Sequence, residues 1–222
     1  MAKMNLNIQN FAGELDVSYD PEQVRGLIDG IASPSANLVG AIDDTSRAIN
    51  DLTQRWASDQ AKAFGDTFMP LYKSLVIEVR NYIDSVGRFL MTAGEALNEA
   101  AHGTESYSWT DVDITPPTAE FQMEIGGRKG ADSTAAQEFN NIVNTYLGTI
   151  KDNLSAIESQ ITTSTAFTEE VMSAASDSIR EANVKSRNLM EALTEAVVEN
   201  ATKNINEFVA ANQSVYVAAQ GN

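Results

Sequence analysis

The stretch that decides the fold is Arg55–Ala101, which reads RWASDQAKAFGDTFMPLYKSLVIEVRNYIDSVGRFLMTAGEALNEAA. A turn carrying Trp56 opens it, and a long segment follows in which apolar side chains recur at intervals of three and four residues. This spacing places the apolar side chains on one face of a long amphipathic helix. We expect the rest of the chain to cover that face, which carries Phe64, Phe68, Leu71, Leu75, Val79, Tyr82, Val86, Phe89, Ala93 and Leu97.

The helix before the tryptophan turn has a clear start and an interruption. Asp20-Pro21-Glu22-Gln23 combines an N-cap residue, a proline at the first helical position and a glutamine that can return the capping bond. Ser33-Pro34 interrupts the apolar stripe that follows, so we expect a kink or a restart there, with Ser33 as a second N-cap. The stripe consists of Ile28, Ile31, Leu38, Ile42, Ile49, Leu52 and Trp56.

The helix after the turn contains a proline of a different kind. Pro70 lies in its third turn, and we expect it to bend the helix without ending it, because the apolar stripe continues in phase on both sides. A helix from Ser58 to Ala101 would be about 65 Å long at 1.5 Å per residue. His102-Gly103 is expected to end it, with the glycine in the left-handed position that follows a helix.

The second half of the chain repeats this plan. Two further apolar stripes are separated by a polar turn at residues 162–165, so each half is predicted to be a helical hairpin. Neither hairpin can bury its stripes alone, which favours packing one on the other. The stripes are Phe139, Ile142, Tyr146, Ile150, Leu154, Ile157 and Ile161, then Phe167, Val171, Ala175, Ile179, Ala182, Leu189, Leu193, Val197, Ile205 and Phe208.

The predicted fold class is therefore all-α: two long helical hairpins packed as an elongated antiparallel four-helix bundle, with short extended segments at the N-terminus and in the linker. The predicted domains are an N-terminal arm (1–19), a first hairpin (20–103), a linker (104–131) and a second hairpin (132–222). Alternation in Met4–Gln9 and in Phe121–Ile125 predicts a short strand in the arm and another in the linker, which could lie side by side. The linker of roughly 28 residues reaches about 90 Å when extended, enough to run the length of the bundle.

Composition excludes several classes of partner. The chain carries 31 acidic against 15 basic residues, a formal net charge of -16. An acidic surface repels phosphate backbones and anionic bilayers, so we expect no nucleic acid and no membrane contact. The chain has no cysteine, which suits a protein that works outside a reducing cytosol. The N-terminus lacks an apolar h-region, so export would proceed without a classical signal peptide.

Motifs of catalysis are absent from the sequence. There is no glycine-rich phosphate loop, no Gly-x-Ser-x-Gly elbow, no His-Glu-x-x-His and no cysteine nucleophile. The single histidine, His102, stands at a predicted helix end, and Asp111 and Asp113 lack the spacing and glycine of a calcium loop. We therefore expect no enzymatic activity, no cofactor and no metal site.

The first hairpin resembles a WXG100 protein, a member of the family of small helical hairpins exported by type VII secretion. The matching features are Trp56 in the turn, the segment Ser58–Phe64 after it, the stretch Phe68–Tyr72, and the Tyr-x-x-x-Asp arrangement Tyr107–Asp111 beyond the second helix. Ser58 stands where the family has glycine. Serine is a good N-cap, so the turn can be retained.

The resemblance implies a function and a location. In the family, the tryptophan turn and the Tyr-x-x-x-Asp/Glu motif together act as an export signal, so the candidate signal residues are Trp56, Ser58, Tyr107 and Asp111. The implied partners are the type VII machinery with its motor ATPase, and a second copy of the chain or a WXG100-like protein. The implied product is made in the cytoplasm and is secreted or held at the cell surface. The candidates for packing against a partner or between hairpins are Phe64, Phe68, Leu71, Leu75, Tyr82 and Phe89.

The residues leave alternatives open. Trp56 also fits a hydrophobic plug that nothing recognises, and Tyr107 with Asp111 also fits an ordinary linker. If the two hairpins pair as family partners do, Trp56 would lie near residues 210–222 and Tyr107 near the turn at 162–165, so the two halves of the signal would be separated. Cysteine-free helices rich in Ser, Thr, Asn and Ala also fit a flagellin-like or other coiled-coil protein that forms filaments. A membrane-active helical toxin is a third hypothesis, which the acidic surface disfavours.

Overall fold

A computed structural model describes residues 19–132, 134–167 and 169–220. The described chain is mostly helical, so the predicted all-α class is confirmed. The predicted strand at Met4–Gln9 lies outside the described residues. The elements are α1 (Pro21–Leu52), β1 (Trp56–Ala57), α2 (Asp59–Ala100), β2 (Gly130–Ala131), α3 (Ala135–Asn141), a first π-helical segment π1 (Ile142–Leu147), α4 (Gly148–Thr162), α5 (Glu169–Glu195), a second π-helical segment π2 (Ala196–Thr202) and α6 (Lys203–Gln220).

Helix α1 starts as predicted and then continues without a break. The Asp20 carboxylate accepts hydrogen bonds from the backbone amides of Glu22 and Gln23, which confirms the N-cap. The predicted restart at Ser33-Pro34 is wrong, because α1 runs through Pro34 as one helix. Pro34 and its neighbour Ser35 are buried on the packed face, and the Ser35 hydroxyl donates to the Ile31 carbonyl at 2.6 Å. Packing of this face holds the helix together where local propensity alone would interrupt it.

Helix α2 passes through Pro70, as predicted, and ends one residue earlier than expected. The residue in the left-handed region is His102, with φ of 55°, so the assignment of that conformation to Gly103 is wrong. Gly103 instead lies so close to the Asn98 side chain that a Cβ at this position would overlap it. The Gly103 amide donates to the Asn98 carbonyl at 2.9 Å, which satisfies one of the last carbonyls of the helix.

The second half contains two π-helical segments that the apolar periodicity did not predict. In π1 and π2 the backbone hydrogen bonds follow the i→i+5 pattern of a π-helix. Each segment therefore shifts the side chains that come after it relative to an apolar stripe with a period of 3.6 residues. Ile205, just after π2, is fully buried, whereas Phe208 is 36% exposed although it was predicted in the stripe. The phase of the stripe is therefore not maintained through α6.

The strands differ from those predicted in the linker. Phe121–Ile125 does not form a strand, and only isolated bridges occur there, from Gln122 to Ala57 and between Ile125 and Arg128. The regular pairing is instead between β1 and β2, antiparallel, with Trp56 opposite Ala131. Gly126 and Gly127 both have positive φ, which turns the chain back before β2.

The described helices bury a continuous apolar core through pairwise contacts. Helix α1 packs against α2 and α4, α5 packs against α2 and α4, and α6 packs against α3 and β2. The largest fully buried side chains are Trp56, Tyr72, Phe68, Phe139, Ile31, Leu38, Ile42, Ile49, Leu52, Leu75, Ile83 and Leu90.

The segment 104–121, which we call the strap, runs back along α2 in an extended conformation. Its Tyr107 ring lies against Gly94, near the end of α2, and its Phe121 ring lies against Gly65, near the start. These two glycines are roughly 44 Å apart along the helix, and the strap from Tyr107 to Phe121 reaches roughly 46 Å when fully extended. The strap is therefore almost taut between its two anchors.

Candidate functional site

The tryptophan turn is a buried aromatic cluster. Trp56 is 1% exposed, and its ring centroid lies 5.6 Å from that of Phe64, 5.8 Å from Phe121 and 5.7 Å from Phe139. Phe64 stacks on Phe68 at 4.9 Å. These rings come from α2, the strap and α3, so Trp56 joins three parts of the chain that are distant in sequence. Offset and edge-to-face aromatic pairs of this kind stabilise a core beyond the area that they bury.

Backbone and cap hydrogen bonds fix the conformation of this turn. The Ser58 hydroxyl accepts a hydrogen bond from the Ala61 amide at 3.0 Å, so serine acts as the predicted N-cap of α2. The Ser58 amide donates to the Gln122 carbonyl at 3.2 Å, and the Asp132 amide donates to the Arg55 carbonyl at 2.8 Å. The turn is thus tied to both ends of the loop that leads from the strap to α3.

Ion pairs surround the turn. The Arg55 guanidinium lies 2.7 Å from the Asp51 carboxylate and 3.5 Å from that of Asp132. Its hydrogen bond to Asp51 raises the pKa of Arg55, whereas hydrogen bonds from Thr134 and then from Arg55 lower the pKa of Asp132. These groups stay charged at neutral pH and hold the start of the second half beside the turn.

Asn98 organises the start of the strap. Its Nδ2 donates to the Glu105 carbonyl at 2.7 Å, and its Oδ1 accepts from the Glu105 amide at 3.3 Å and from the Tyr19 hydroxyl at 3.1 Å. Arg25 of α1 also forms an ion pair with the Glu105 carboxylate. One asparagine side chain therefore sets the direction in which the chain leaves α2.

Tyr107, the first residue of the candidate motif, is buried in the strap. It is 6% exposed, and a Cβ placed at Gly94 would lie only 2.9 Å from the tyrosine ring and equally close to Val24. Burial is the main cause that raises the pKa of the Tyr107 hydroxyl. That hydroxyl has no hydrogen-bond partner among the described residues.

Trp109 is the second ring of the strap. It lies directly over Gly87, where any Cβ would overlap the indole ring. Its Nε1 atom is buried and also lacks a hydrogen-bond partner within the described ranges. Because seven residues make almost two helical turns, Gly87 and Gly94 lie on one face of α2. Neither glycine has a side chain, which leaves room for the rings of Trp109 and Tyr107.

Asp111, the acid of the candidate motif, is held by α2. Arg88 Nε donates to Asp111 Oδ1 at 2.9 Å, and Arg88 also pairs with the second carboxylate oxygen. This bidentate pairing raises the pKa of Arg88 and lowers that of Asp111. One residue further on, the Val112 amide donates to Asp84 Oδ1 at 2.9 Å.

The candidate signal residues fall into two groups at opposite ends of α2. Trp56 and Ser58 precede the helix, whereas the Tyr107 ring lies on Gly94, about 50 Å along it. The turn between α4 and α5 lies at the Tyr107 end, since the Asp20 amide donates to the Ala166 carbonyl at 3.3 Å and Gln23 accepts from Thr165 at 2.7 Å. Within one chain, Tyr107 and Asp111 lie along the same end of α2, against Gly94 and Arg88, whereas Trp56 lies at the other end of the helix.

The packing candidates of α2 are buried with one exception. Phe64, Phe68, Leu75, Tyr82 and Phe89 all lie in the core, whereas Leu71 is only partly buried. Tyr72 takes the inner position instead, and its hydroxyl donates to the Ile42 carbonyl at 3.0 Å. That hydrogen bond satisfies the Tyr72 hydroxyl inside the core. The periodicity of apolar residues alone does not predict that a tyrosine takes this position.

Tyr82 lies beside a polar group of the second half. Burial, and then the nearby Glu158 carboxylate, raise the pKa of Tyr82. Glu158 pairs with Arg187 at 3.0 Å and accepts a hydrogen bond from Asn183. This group of α4 and α5 places polar side chains beside Tyr82, and Lys185 of α5 also pairs with Glu78 of α2 at 2.6 Å.

A separate groove lies between the segment Val143–Lys151 and α5, with a volume of about 740 Å³. Apolar Leu147 and Met190 share its walls with charges of both signs, including Lys151 and Glu191. In the described ranges, no group of three or more histidine, aspartate or glutamate side chains is arranged to hold a metal ion. None of the described helices combines the length and the apolar character that a membrane span needs.

The sequence indicates Tyr107 and Asp111 as candidate site residues but does not indicate the residues that hold them. Gly87, Arg88, Gly94 and Asn98 were not singled out, although the two glycines are spaced by seven and flank the arginine. Glycines at heptad spacing inside a long helix are the signal that could have revealed a close approach.

The strap contains two aromatic residues whose polar atoms are buried and one exposed ion pair, between Arg88 and Asp111. The aromatic cluster at the turn is closed, whereas the strap lies on the surface of α1 and α2. Comparison with protein-family models, with curated proteins and with solved structures finds no match to this chain.

Proposed function

We propose that this chain is a non-enzymatic, WXG100-like helical protein of a Gram-positive type VII secretion system, acting as a substrate, an export partner or an effector. It is secreted or held at the cell surface. The observation that carries this proposal is the order of elements along the first half. A tryptophan turn with an N-cap serine leads into one 42-residue helix, and Tyr107 and Asp111 follow on the strap, each held against α2.

The proposed architecture is two helical hairpins packed as an elongated antiparallel four-helix bundle. The contacts of α1 with α4 and of α2 with α5 support it. The ring pair of Phe89 and Phe167, 6.5 Å apart, also supports it, because it joins the last part of α2 to the residues just before α5. The strap then serves as the long connection that returns the chain to the tryptophan turn, so that the second hairpin starts there and runs opposite to the first.

The proposed partners are the motor ATPase of the machinery and a second copy of the chain or a WXG100-like protein. Trp56 and Tyr107 lie about 50 Å apart on α2, so a composite signal with both residues requires a second polypeptide. An antiparallel pair of chains would bring the strap of one copy towards the tryptophan turn of the other.

The decisive experiment is secretion from a type VII-competent Gram-positive host, with and without its motor ATPase. The test variant is Tyr107→Ala with Asp111→Ala, which we expect to abolish motor-dependent export while the helical circular dichroism is unchanged. Trp56→Ala is a poor test by itself, because removing a buried tryptophan costs about 3–5 kcal/mol and can unfold the chain. Trp56→Phe keeps an aromatic ring in the core and tests whether the export machinery recognises the indole.

The matched control is Tyr146→Ala with Asp152→Ala, which removes the same residue types from the second half. Tyr146 is half-buried and Asp152 is exposed. This variant should be exported like the native chain. Motor-independent release of the native chain, or unchanged export of the Tyr107 and Asp111 variant, contradicts the proposal, and sedimentation of filaments would then favour a flagellin-like structural protein.

A further inference from the structure

The face of α2 that carries Gly87 and Gly94 accommodates the strap through shape and charge. Gly87 and Gly94 leave room for the rings of Trp109 and Tyr107, and Arg88, between them in sequence, pairs with Asp111. Three consecutive odd positions of the strap are thus held by one helix face less than two turns long. This arrangement is that of a binding site for an aromatic-x-aromatic-x-acid peptide, whose occupant is part of the same chain.

In this position the strap cannot present the motif. Tyr107 is 6% exposed, and both oxygens of the Asp111 carboxylate are taken by Arg88. A protein that binds the tyrosine ring and the carboxylate together would have to displace α2 from both of them. Release of the strap would free both groups at once, because they share the same short segment.

The strap is held mainly by its buried side chains Tyr107, Ile114 and Phe121 and makes few polar contacts. Between Ser106 and Phe121, its backbone makes one hydrogen bond to the rest of the described chain, from Val112 to Asp84. The buried Tyr107 hydroxyl and Trp109 Nε1 have no partner among the described residues, and water would satisfy both on release. Arg88 and Asp111 keep 61% and 47% of their side-chain surface exposed. A pair this exposed changes an equilibrium by only about 1.5- to 5-fold.

Open grooves flank the strap. A groove of about 480 Å³ separates residues 108–112 from α1, and another of about 320 Å³ lies where Phe121 meets α2. Along residues 108–112 the strap therefore borders a groove on its α1 side. Release of the segment Tyr107–Asp111 exposes the Tyr107 ring, which is buried in the docked state.

We propose that the segment Tyr107–Asp111 occupies an intramolecular binding site formed by Gly87, Arg88 and Gly94, and that it leaves this site before the export machinery binds Tyr107 and Asp111. This inference rests on the proposed function for the identity of the partner. The site on α2 and the equilibrium of the strap are properties of the chain alone.

The first test measures strap release in the purified full-length chain by hydrogen exchange of the amides in residues 106–121. Arg88→Ala removes the ion pair and should speed exchange there by about 1.5- to 5-fold. Gly87→Ala displaces the Trp109 ring and should also speed it, although alanine favours the helix itself. The controls are Arg80→Ala, in the same helix, and Gly40→Ala, where a Cβ meets no atom within 4 Å. Unchanged exchange in both test variants overturns the site.

The second test measures the initial rate of motor-dependent export of the same four variants. If release precedes recognition, Arg88→Ala and Gly87→Ala should be exported faster by the factor seen in exchange, and the two controls at the native rate. Faster exchange with unchanged or lost export overturns the proposal, because the docked strap is then what the machinery binds. If the native chain shows no motor-dependent export, the proposed function fails, and hydrogen exchange alone decides the site on α2.

Discussion

Trp56 and Phe139 meet edge to face, with ring centroids 5.7 Å apart and ring planes at 87°. Trp56 belongs to the turn between α1 and α2, whereas Phe139 belongs to α3, at the start of the second half. This pair therefore joins the two halves of the chain at the end where the strap terminates. Its contribution can be measured apart from the general loss of apolar surface.

We predict that Trp56 and Phe139 are energetically coupled. In a double-mutant cycle with Trp56→Leu and Phe139→Leu, the coupling free energy of unfolding should be about 0.5–1.5 kcal/mol, because leucine keeps apolar bulk and removes the ring pair. Urea denaturation followed by circular dichroism measures it. As a control, Trp56→Leu with Phe89→Leu, at the far end of α2, should be additive within about 0.3–0.5 kcal/mol. Additivity of the first pair would show that the two rings are independent plugs.

Local signals in the sequence predicted the helix starts well. Asp20 and Ser58 act as N-caps, and Pro70 lies inside α2, because each of these depends on a few neighbouring residues. The failures at Pro34 and His102 have the opposite cause. Burial of the Pro34 face, and the contacts of Asn98 with the strap, involve residues far along the chain.

The candidate site was predictable only in part, for a related reason. The resemblance to the WXG100 motif and the position just after the long helix indicated Tyr107 and Asp111 as a pair, and the linker length allowed a long return path. Which helix face would receive the strap depends on Gly87 and Gly94, two buried glycines of α2. Glycine has no apolar side chain and does not contribute to an apolar stripe, so only the contacts of Gly87 and Gly94 with the strap rings reveal their role.

A second prediction concerns the other anchor of the strap, at Gly65. A Cβ there would lie 2.7 Å from Phe121 Cβ, an atom next to the backbone that cannot rotate away. Gly65→Ala should therefore lower the free energy of unfolding by about 1–3 kcal/mol despite the better helix propensity of alanine. Gly40→Ala is the control, and it should raise stability by about 0.5–1 kcal/mol. Equal stabilisation of both variants would mean that the Phe121 ring is not seated as the contact indicates.

A third prediction concerns the N-cap at the tryptophan turn. Ser58→Ala should lower the free energy of unfolding by about 1 kcal/mol, because the Ala61 amide loses its acceptor. Ser58→Gly should cost only a few tenths of a kcal/mol, since glycine leaves the helix end open to water. Thermal unfolding of the two variants distinguishes them, with the exposed Ser85→Ala as control. A loss for Ser58→Gly as large as that for Ser58→Ala would indicate that serine packs rather than caps.

The last prediction is a loss of stability in alkali that originates in two tyrosines. Burial raises the pKa of Tyr72 to about 12, from an ordinary value near 10, and burial and the Glu158 carboxylate raise that of Tyr82. A phenol whose folded pKa is raised stays protonated longer in the native state than in the unfolded chain. The contribution of each such tyrosine to stability is therefore constant below about pH 10 and then falls by about 1.4 kcal/mol per pH unit, until the folded pKa is reached.

Urea denaturation between about pH 9 and 11 measures this slope, and phenylalanine variants assign it. Tyr72→Phe should reduce the slope and cost about 1 kcal/mol at neutral pH, since the hydrogen bond to the Ile42 carbonyl is lost. Tyr82→Phe should reduce the slope at a smaller cost, because the Tyr82 hydroxyl has no partner among the described residues. Tyr146→Phe, at a half-buried site, is the control. A slope that survives in the Tyr72 and Tyr82 double variant would place the alkaline loss in other groups, such as the lysine ion pairs.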